Sequence, residues 1–255
     1  MMGALRKVWR DEHASRLTPH RAARTPAGRL GRVSVSELSA STQNYLKAVW
    51  SLQEWSDAPV TATTIAEKAG VKLSTASDAV RKLSEQGLLD HAPYGAIALT
   101  ERGRDYAIEM VRRHRLIETF LVETLGYTWD QVHDEAETLE HAVSDFMIAQ
   151  IDGHLGHPTR DPHGDPIPSA GGDVHRPDAV RLSSVPAGHR VRAERVSDAD
   201  PELLQYFASH GIAVGTVLTT RAGAPYSESV EVEVEGGSTF PLGRGATDAV
   251  WVTSI

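Results

Sequence analysis

From Ser41 onward, apolar side chains recur every three or four residues, which predicts a helix with one broad apolar face to about residue 55. Asp57-Ala58-Pro59 then breaks the chain. Two shorter helices are predicted over residues 61–69 and 74–86, and each is followed by a glycine where a left-handed cap is expected. Two β-like runs follow at 88–91 and 96–100, joined by a turn at Pro93-Tyr94-Gly95.

This order of elements is typical of a winged helix-turn-helix, whose third helix enters the major groove of DNA. The N-terminal residues of that helix lie nearest the base edges. Here they are small, hydroxylated or charged, and the predicted DNA contacts are Lys72, Ser74, Thr75, Ser77, Asp78 and Arg81. Helix capping by Ser74 or Thr75 and a solvated helix face are the alternatives.

Amphipathic helices are predicted over 102–126 and 129–155. Long helices after a DNA-binding head usually pair with their symmetry mates, so we expect a homodimer. Residues 156–177 are rich in Pro, Gly, Asp and His and show no periodicity, which predicts a linker or an irregular ordered connection. Short β-like segments around one helix at 201–210 then predict a small β-barrel. The fold class is therefore mainly α with small β parts.

Composition narrows the chemistry of this chain of 255 residues. The absence of cysteine excludes disulfides, thiolate zinc fingers, iron–sulfur clusters and thiol catalysis. The net charge is −8, yet residues 1–33 hold eight basic and two acidic side chains. This leader reads as a disordered tail, with a phosphate-binding arm as the alternative. Without a signal sequence or a bilayer-spanning apolar run, we expect a cytoplasmic protein with no membrane association.

The candidate chemistry is a set of His and Glu residues at one-turn spacing. On a continuous helix, His133, Glu137, Glu140 and His141 share one face, and the preceding helix presents His114 and Glu118. Asn44 adds an amide oxygen. Nitrogen and oxygen donors suit Mn²⁺, Fe²⁺, Co²⁺ or Zn²⁺ and do not choose among them.

Three other interpretations compete with a regulatory metal site. The charges can be those of an acidic surface helix, and His/Glu helices also build catalytic dimetal centres. The missing His-Glu-x-x-His motif and the preceding winged helix argue against an enzyme. A DNA-binding sensor of a small organic ligand, with the barrel as its sensing module, is the third.

Several separated motifs, in the same order, resemble the diphtheria toxin repressor family of metal-dependent regulators. The motifs are Tyr45-Leu46-Lys47 and the segments 65–77, 113–118, 132–141 and 161–168. The chain is most similar to the manganese-responsive, MntR-like branch with a C-terminal barrel. The resemblance implies a non-enzymatic repressor of metal-homeostasis genes that uses Mn²⁺ and binds palindromic operator DNA as a homodimer. An iron-responsive or other divalent-metal-responsive regulator is the alternative.

The resemblance also implies residue roles. A primary site would comprise Asn44, Glu137, Glu140 and His141. A second site would comprise His114, Glu118, His133 and an acidic barrel residue, Asp198, with Asp200 as the fallback. Iron-responsive members have methionine and cysteine in place of Asn44 and Glu137, so the oxygen donors here favour Mn²⁺. The manganese branch typically has aspartate where this chain has Asn44.

Taken together, these patterns predict four segments. Residues 1–38 form the basic disordered leader and residues 39–103 the winged helix-turn-helix domain. Residues 104–178 hold the metal-binding and dimerisation helices with the linker, and residues 179–255 form the small, FeoA-like β-barrel.

Overall fold

The computed structural model describes residues 34–91 and 95–255. Its first element is a 3-10 turn, Val35–Glu37, capped by Ser34, with Val35 fully buried in the N-terminal core. The sequence predicts a disordered leader that ends at residue 38. This prediction is wrong for residues 34–38, which form the 3-10 turn and its two caps. The remainder of the leader and Pro93-Tyr94 of the predicted turn lie outside the described residues.

The N-terminal head has the predicted order of elements. Helix α1 is Ala40–Glu54, α2 is Ala62–Lys68 and α3 is Leu73–Glu85. Strands β1 (Leu89–His91) and β2 (Ile97–Leu99) pair antiparallel as the wing. Ser39 caps α1 and Thr61 caps α2 through a capping box, which fixes where each helix begins. The winged helix-turn-helix is confirmed.

Helix α4 (Glu101–Leu125) belongs to two cores. It begins at the Thr100 cap and ends at Gly126, whose φ of 77° is accessible to glycine at low cost. Its N-terminal half packs into the head, and its C-terminal half packs against α5 (Val132–Leu139) and α6 (Asp145–His154). Side chains near the middle of α4 therefore lie where the two cores meet.

The single helix predicted over 129–155 is wrong, because α5 and α6 are separate helices. The chain leaves helical geometry after Glu140, and Ser144 has extended backbone angles. The Ser144 hydroxyl accepts a hydrogen bond from the Met147 amide and begins α6 as an N-cap. No glycine or proline lies at this break, and the three- to four-residue spacing of apolar side chains continues through it. The sequence pattern therefore does not reveal the break. Because of this break, His141 does not lie on a helix.

The C-terminal region contains the elements β3 (Val180–Arg181), β4 (Arg190–Val196), α7 (Pro201–Ser209), β5 (Val217–Ala222), β6 (Val230–Val234), β7 (Thr239–Leu242), α8 (Arg244–Asp248) and β8 (Val250–Ser254). Its strands form a six-stranded antiparallel sheet in the order β3-β8-β4-β5-β6-β7. A core that includes Leu204 and Phe207 of its helix α7 packs against the sheet. Of the helices in the described residues, none combines the length and apolarity needed to span a membrane.

The segment 161–165 joins the sheet to the head. Gly164 has a φ of +90°, and a Cβ on it would lie 2.1 Å from the carbonyl oxygen of Glu194, so only glycine permits this close approach. Strand β4 has a register shift between Ala193 and Arg195. The Nε of Arg195 donates to Asp165 Oδ1 at 2.8 Å, and the indole of Trp55 donates to the same oxygen at 2.7 Å. One carboxylate thus links the end of α1 to the sheet.

Arg115 on α4 completes this joint. Its guanidinium donates to both carboxylate oxygens of Glu54, at 2.9 and 2.5 Å, and to the carbonyl of Pro166 at 2.7 Å. Asp161 and Asp165 lie 3.6 and 3.4 Å away. Burial disfavours the charged guanidinium, but the neighbouring carboxylates stabilise that charge more strongly and raise the pKa of Arg115. Head, α4 and the 161–165 segment are therefore held by one buried charge network.

Candidate functional site

A first cluster forms where α4 meets the end of α5. His114, Glu137 and Glu140 each offer a donor atom, and these atoms lie within 4.8 Å of one another. His114 Nδ1 is 2.7 Å from Glu140 Oε2, and the Glu140 side chain is fully buried. Two carboxylates and an imidazole at this spacing suit a divalent cation of hard or borderline character.

Lys47 on α1 reaches into the same cluster. Its Nζ donates to Glu137 Oε1 and to Glu140 Oε1, each at 2.6 Å, and lies 3.5 Å from His114 Nδ1. Lys47 belongs to the family motif Tyr45-Leu46-Lys47, and no role at the site was predicted for it from its position on a helix.

His141, expected as a ligand of the primary site, is positioned by a residue that sequence reasoning missed. Gln43 donates its amide to the carbonyls of Val35 and Leu38, at 2.8 and 3.0 Å, so its Oε1 faces His141 Nδ1 at 2.6 Å. Because Oε1 only accepts, His141 Nδ1 carries the proton and the Nε2 lone pair of the neutral ring is free to coordinate. That Nε2 lies 3.7 Å from Glu140 Oε1.

Asn44, the fourth residue expected in the primary site, is exposed on α1, three residues before Lys47. It lines a cavity of about 410 Å³ together with Lys47, His114, Glu118, His133 and Glu137. The structure thus places the Asn44 amide at the same cavity as the two carboxylate clusters.

A second cluster joins α4, α5 and the C-terminal sheet domain. His114, Glu118, His133 and Asp198 present donor atoms within 4.8 Å of one another. His133 Nδ1 lies 3.0 Å from Asp198 Oδ2 and 3.4 Å from Glu118 Oε1. Asp200, the alternative to Asp198, instead caps α7 by accepting from the amides of residues 202 and 203.

Electrostatics in this second cluster favour charged pairs. Burial opposes the imidazolium of His133, but hydrogen bonds to Asp198 and Glu118 outweigh it and raise the pKa of His133 to about 10. Burial likewise opposes the carboxylates, yet His114 lowers the pKa of Glu118, and His133 holds that of Asp198 well below its usual range. In the metal-free protein, protonated His133 thus supplies part of the positive charge that a bound cation would supply to these carboxylates.

Asp161 and His163 form a third donor set with Glu118, all buried and within 4.8 Å. His163 Nε2 donates to the carbonyl of Trp129 at 2.7 Å, which leaves its Nδ1 lone pair with no hydrogen-bond partner. An unpaired buried acceptor 3.9 Å from Glu118 Oε2 fits a cation ligand. Sequence reasoning missed both residues as ligands because they lie in the presumed linker, although its Asp/His content was a signal.

The predicted DNA contacts form one exposed polar face on α3. Lys72 is the N-cap residue without a side-chain capping bond, so neither Ser74 nor Thr75 is the N-cap. Arg81 lies 3.4 Å from both Asp78 and Glu85 in exposed ion pairs, which are weak enough to be exchanged for phosphate. The exposed residues are Lys72, Ser74, Thr75, Ser77, Asp78 and Arg81.

Helix α6 has an exposed apolar surface at its N-terminal end. Phe146 is 74% exposed and Met147 is 46% exposed. These two adjacent side chains are a candidate for a surface that a second protein covers.

Comparison with known proteins gives three consecutive family matches. Residues 37–97 match the N-terminal DNA-binding domain of iron-dependent repressors. Residues 100–169 match the metal-binding and dimerisation domain of the same proteins, and residues 180–254 match the FeoA domain.

Individual relatives match over most of the chain. It is 37% identical over 237 residues to the iron-dependent repressor IdeR of Mycobacterium tuberculosis, covering 87% of this chain and 100% of the relative. A solved manganese-dependent transcriptional repressor in complex with manganese is 51% identical, with a TM-score of 0.81, covering 84% of this chain and 100% of that one. ScaR with bound Zn²⁺ is 30% identical, with a TM-score of 0.72, covering 84% and 99%.

Proposed function

Because the chain belongs to the iron-dependent repressor family, which includes IdeR and the diphtheria toxin repressor, we propose that it represses metal-homeostasis genes in response to Mn²⁺. It is a metal-dependent, DNA-binding transcriptional repressor and not an enzyme. We further propose that the protein acts in the cytoplasm, where it meets its operator DNA.

The observation that carries the choice of Mn²⁺ is the 51% identical relative solved in complex with manganese, together with a donor set that accepts this ion. The donors that His114, Glu137 and Glu140 contribute are oxygen and nitrogen, and the chain has no cysteine to offer a thiolate. The primary site is proposed to comprise Asn44, Glu137, Glu140 and His141, with Gln43 orienting His141.

The second site is proposed to contain His114, Glu118, His133 and Asp198. Asp161 and His163 adjoin it through Glu118 and are added here as candidate ligands. These side chains come from α4, α5, the 161–165 segment and the sheet domain. Coordination there therefore fixes the FeoA-like domain to the dimerisation helices.

The location of the primary site couples metal binding to DNA recognition. Asn44 belongs to the DNA-binding head, whereas Glu137 and Glu140 belong to the dimerisation region. A bound divalent cation supplies the positive charge that ties the two together. The head is then held against α4 and α5. We propose that two chains pair through the exposed end of α6. In that homodimer the two α3 helices keep the separation of about 34 Å that successive major grooves require.

Gel retardation of a palindromic operator tests the proposed function. The full chain is titrated into operator DNA with Mn²⁺ and, separately, with a chelator. We expect retardation only with the metal, at a stoichiometry of two chains per palindrome. Retardation of equal strength in chelator would contradict the proposal.

Fe²⁺ is the second candidate, because the same donors accept it and because the M. tuberculosis relative is an iron-dependent repressor. The same titration under anaerobic conditions with Fe²⁺ separates the two. Because a nitrogen/oxygen site binds Fe²⁺ more tightly than Mn²⁺ whatever its role, the maximal retardation at saturating metal is compared. Retardation with Fe²⁺ but not with saturating Mn²⁺ would assign the protein to iron.

Replacing the amide at position 44 by a carboxylate adds one negative charge at the primary site. We expect Asn44→Asp to lower the Mn²⁺ dissociation constant by about fivefold, since an exposed charge contributes about 1 kcal/mol. Isothermal titration calorimetry gives the constant. Asn44→Ala, which removes the donor without adding charge, is the control, and equal constants for wild type and Asn44→Asp would refute a role for this position.

The raised pKa of His133 predicts a pH-dependent second site. With a pKa of about 10 in the metal-free protein, His133 is protonated at pH 7 and must lose that proton to coordinate. Mn²⁺ affinity at this site should therefore rise by about tenfold per pH unit between pH 6 and 8. Calorimetry in buffers of different ionisation enthalpy counts the protons released, and His133→Gln should release about one fewer. A pH-independent affinity would contradict the assignment.

A further inference from the structure

Lys47 contacts the acidic centre of the primary site. Its ammonium donates to one oxygen of Glu137 and one of Glu140, each at 2.6 Å, and lies 3.5 Å from His114 Nδ1. The Lys47 side chain is 11% exposed and that of Glu140 is fully buried. The chain itself thus supplies a cation to the proposed metal ligands.

The burial of Glu140 explains why this contact forms. A carboxylate removed from water is costly unless a positive charge and hydrogen bonds compensate it. An ammonium is a compact charge with three donors, which suits the gap between two carboxylates. In the metal-free protein Lys47 therefore compensates the acidic pair.

The ammonium and a metal ion compete for these two carboxylates, because two cations held within a few ångströms of each other in a partly buried site repel each other strongly. Lys47 has a flexible four-carbon stem and lines the cavity that also exposes Asn44, so its head can move toward solvent without unfolding α1. Displacement of the ammonium then becomes part of metal binding.

We propose that Lys47 is an intramolecular competitor of the regulatory metal, which sets the free metal concentration at which the repressor is loaded. The inference rests on the proposed function, in that Glu137 and Glu140 are taken as ligands. Lys47 acts on affinity in this scheme and is not itself a ligand. The contact also links α1 to α5 before the metal arrives, so metal binding replaces one bridge by another.

Calorimetry with MnCl₂ on the full, metal-free protein tests this role. We expect Lys47→Met to bind Mn²⁺ about tenfold more tightly at the primary site, because hydrogen bonds between charged groups no longer have to be broken. Lys47→Arg keeps the charge and should remain close to wild type. Lys82→Met removes one positive charge on the exposed face of α3 and should bind as wild type does.

The possible results separate this inference from the proposed function. If Lys47→Met binds Mn²⁺ with unchanged or weaker affinity while wild type binds normally, the role of Lys47 is overturned and the metal site stands. If neither protein binds Mn²⁺, the proposed function fails and the inference fails with it.

A second measurement needs no variant. Limited labelling with an amine-reactive reagent, read by mass spectrometry, reports how accessible each lysine is in the wild-type protein. We expect labelling of Lys47 to increase several-fold on addition of Mn²⁺, with Lys82 unchanged. Equal or slower labelling of Lys47 in the presence of the metal would overturn the proposal.

Discussion

Glu140→Gln should abolish Mn²⁺-dependent operator binding. The substitution keeps the shape of a fully buried side chain but removes the charge that faces His114 and Lys47. Changing a residue that merely orients a ligand costs about 10–100-fold in metal affinity, so loss of a coordinating carboxylate should cost at least about 100-fold. Calorimetry with MnCl₂ measures the loss of metal affinity, and gel retardation measures the loss of operator binding.

Glu135→Gln is the matched control for this experiment. Glu135 lies on the same helix, α5, but is exposed to solvent, so its neutralisation changes the net charge equally without touching the cluster. We expect wild-type metal affinity and operator binding from it. If Glu140→Gln also retained both, Glu140 would not be a ligand.

Arg115→Met should be strongly destabilising. It leaves Glu54, Asp161 and Asp165 without the guanidinium that holds them. Breaking a buried ion pair by removing one partner costs about 3–5 kcal/mol. For a chain of this size, that corresponds to a fall in Tm of about 10 °C.

Thermal denaturation of the metal-free protein followed by circular dichroism measures this loss, with Arg221→Met as control. Arg221 pairs with Glu233 on the exposed surface of the sheet, where ion pairs contribute little, so its removal should leave Tm unchanged. A wild-type Tm for Arg115→Met would show that the charge network does not hold the joint together.

The periodic part of the site could be predicted from the sequence. His114 and Glu118 on α4, and His133 and Glu137 on α5, are one turn apart, and helix geometry alone places each pair on one face. Once both helices form and pack, those side chains meet. Asp198 was placed only by family resemblance, because its distance to His133 depends on how the sheet docks.

The remaining features depend on tertiary packing or on weak local signals. A lysine in the polar face of an amphipathic helix reads as solvated, and only the packing of α1 places the Lys47 ammonium between two carboxylates. The break after Glu140 depends on the single cap at Ser144, which a search for glycine or proline does not detect. His163 lies in a non-periodic segment whose order comes from hydrogen bonds to Asp161 and from contact with β4.

The 3-10 turn at Val35–Glu37 has a consequence for any shortened form of the protein. Its neighbouring carbonyls, at Val35 and Leu38, hold the Gln43 amide, and Gln43 in turn selects the tautomer of His141. A truncation beginning at Ser39 deletes none of the proposed metal or DNA ligands, yet it removes both acceptors that hold the Gln43 amide in the orientation facing His141. We therefore expect the segment just before the DNA-binding head to influence metal affinity through Gln43 and His141, and its removal to weaken metal binding while every proposed ligand is retained.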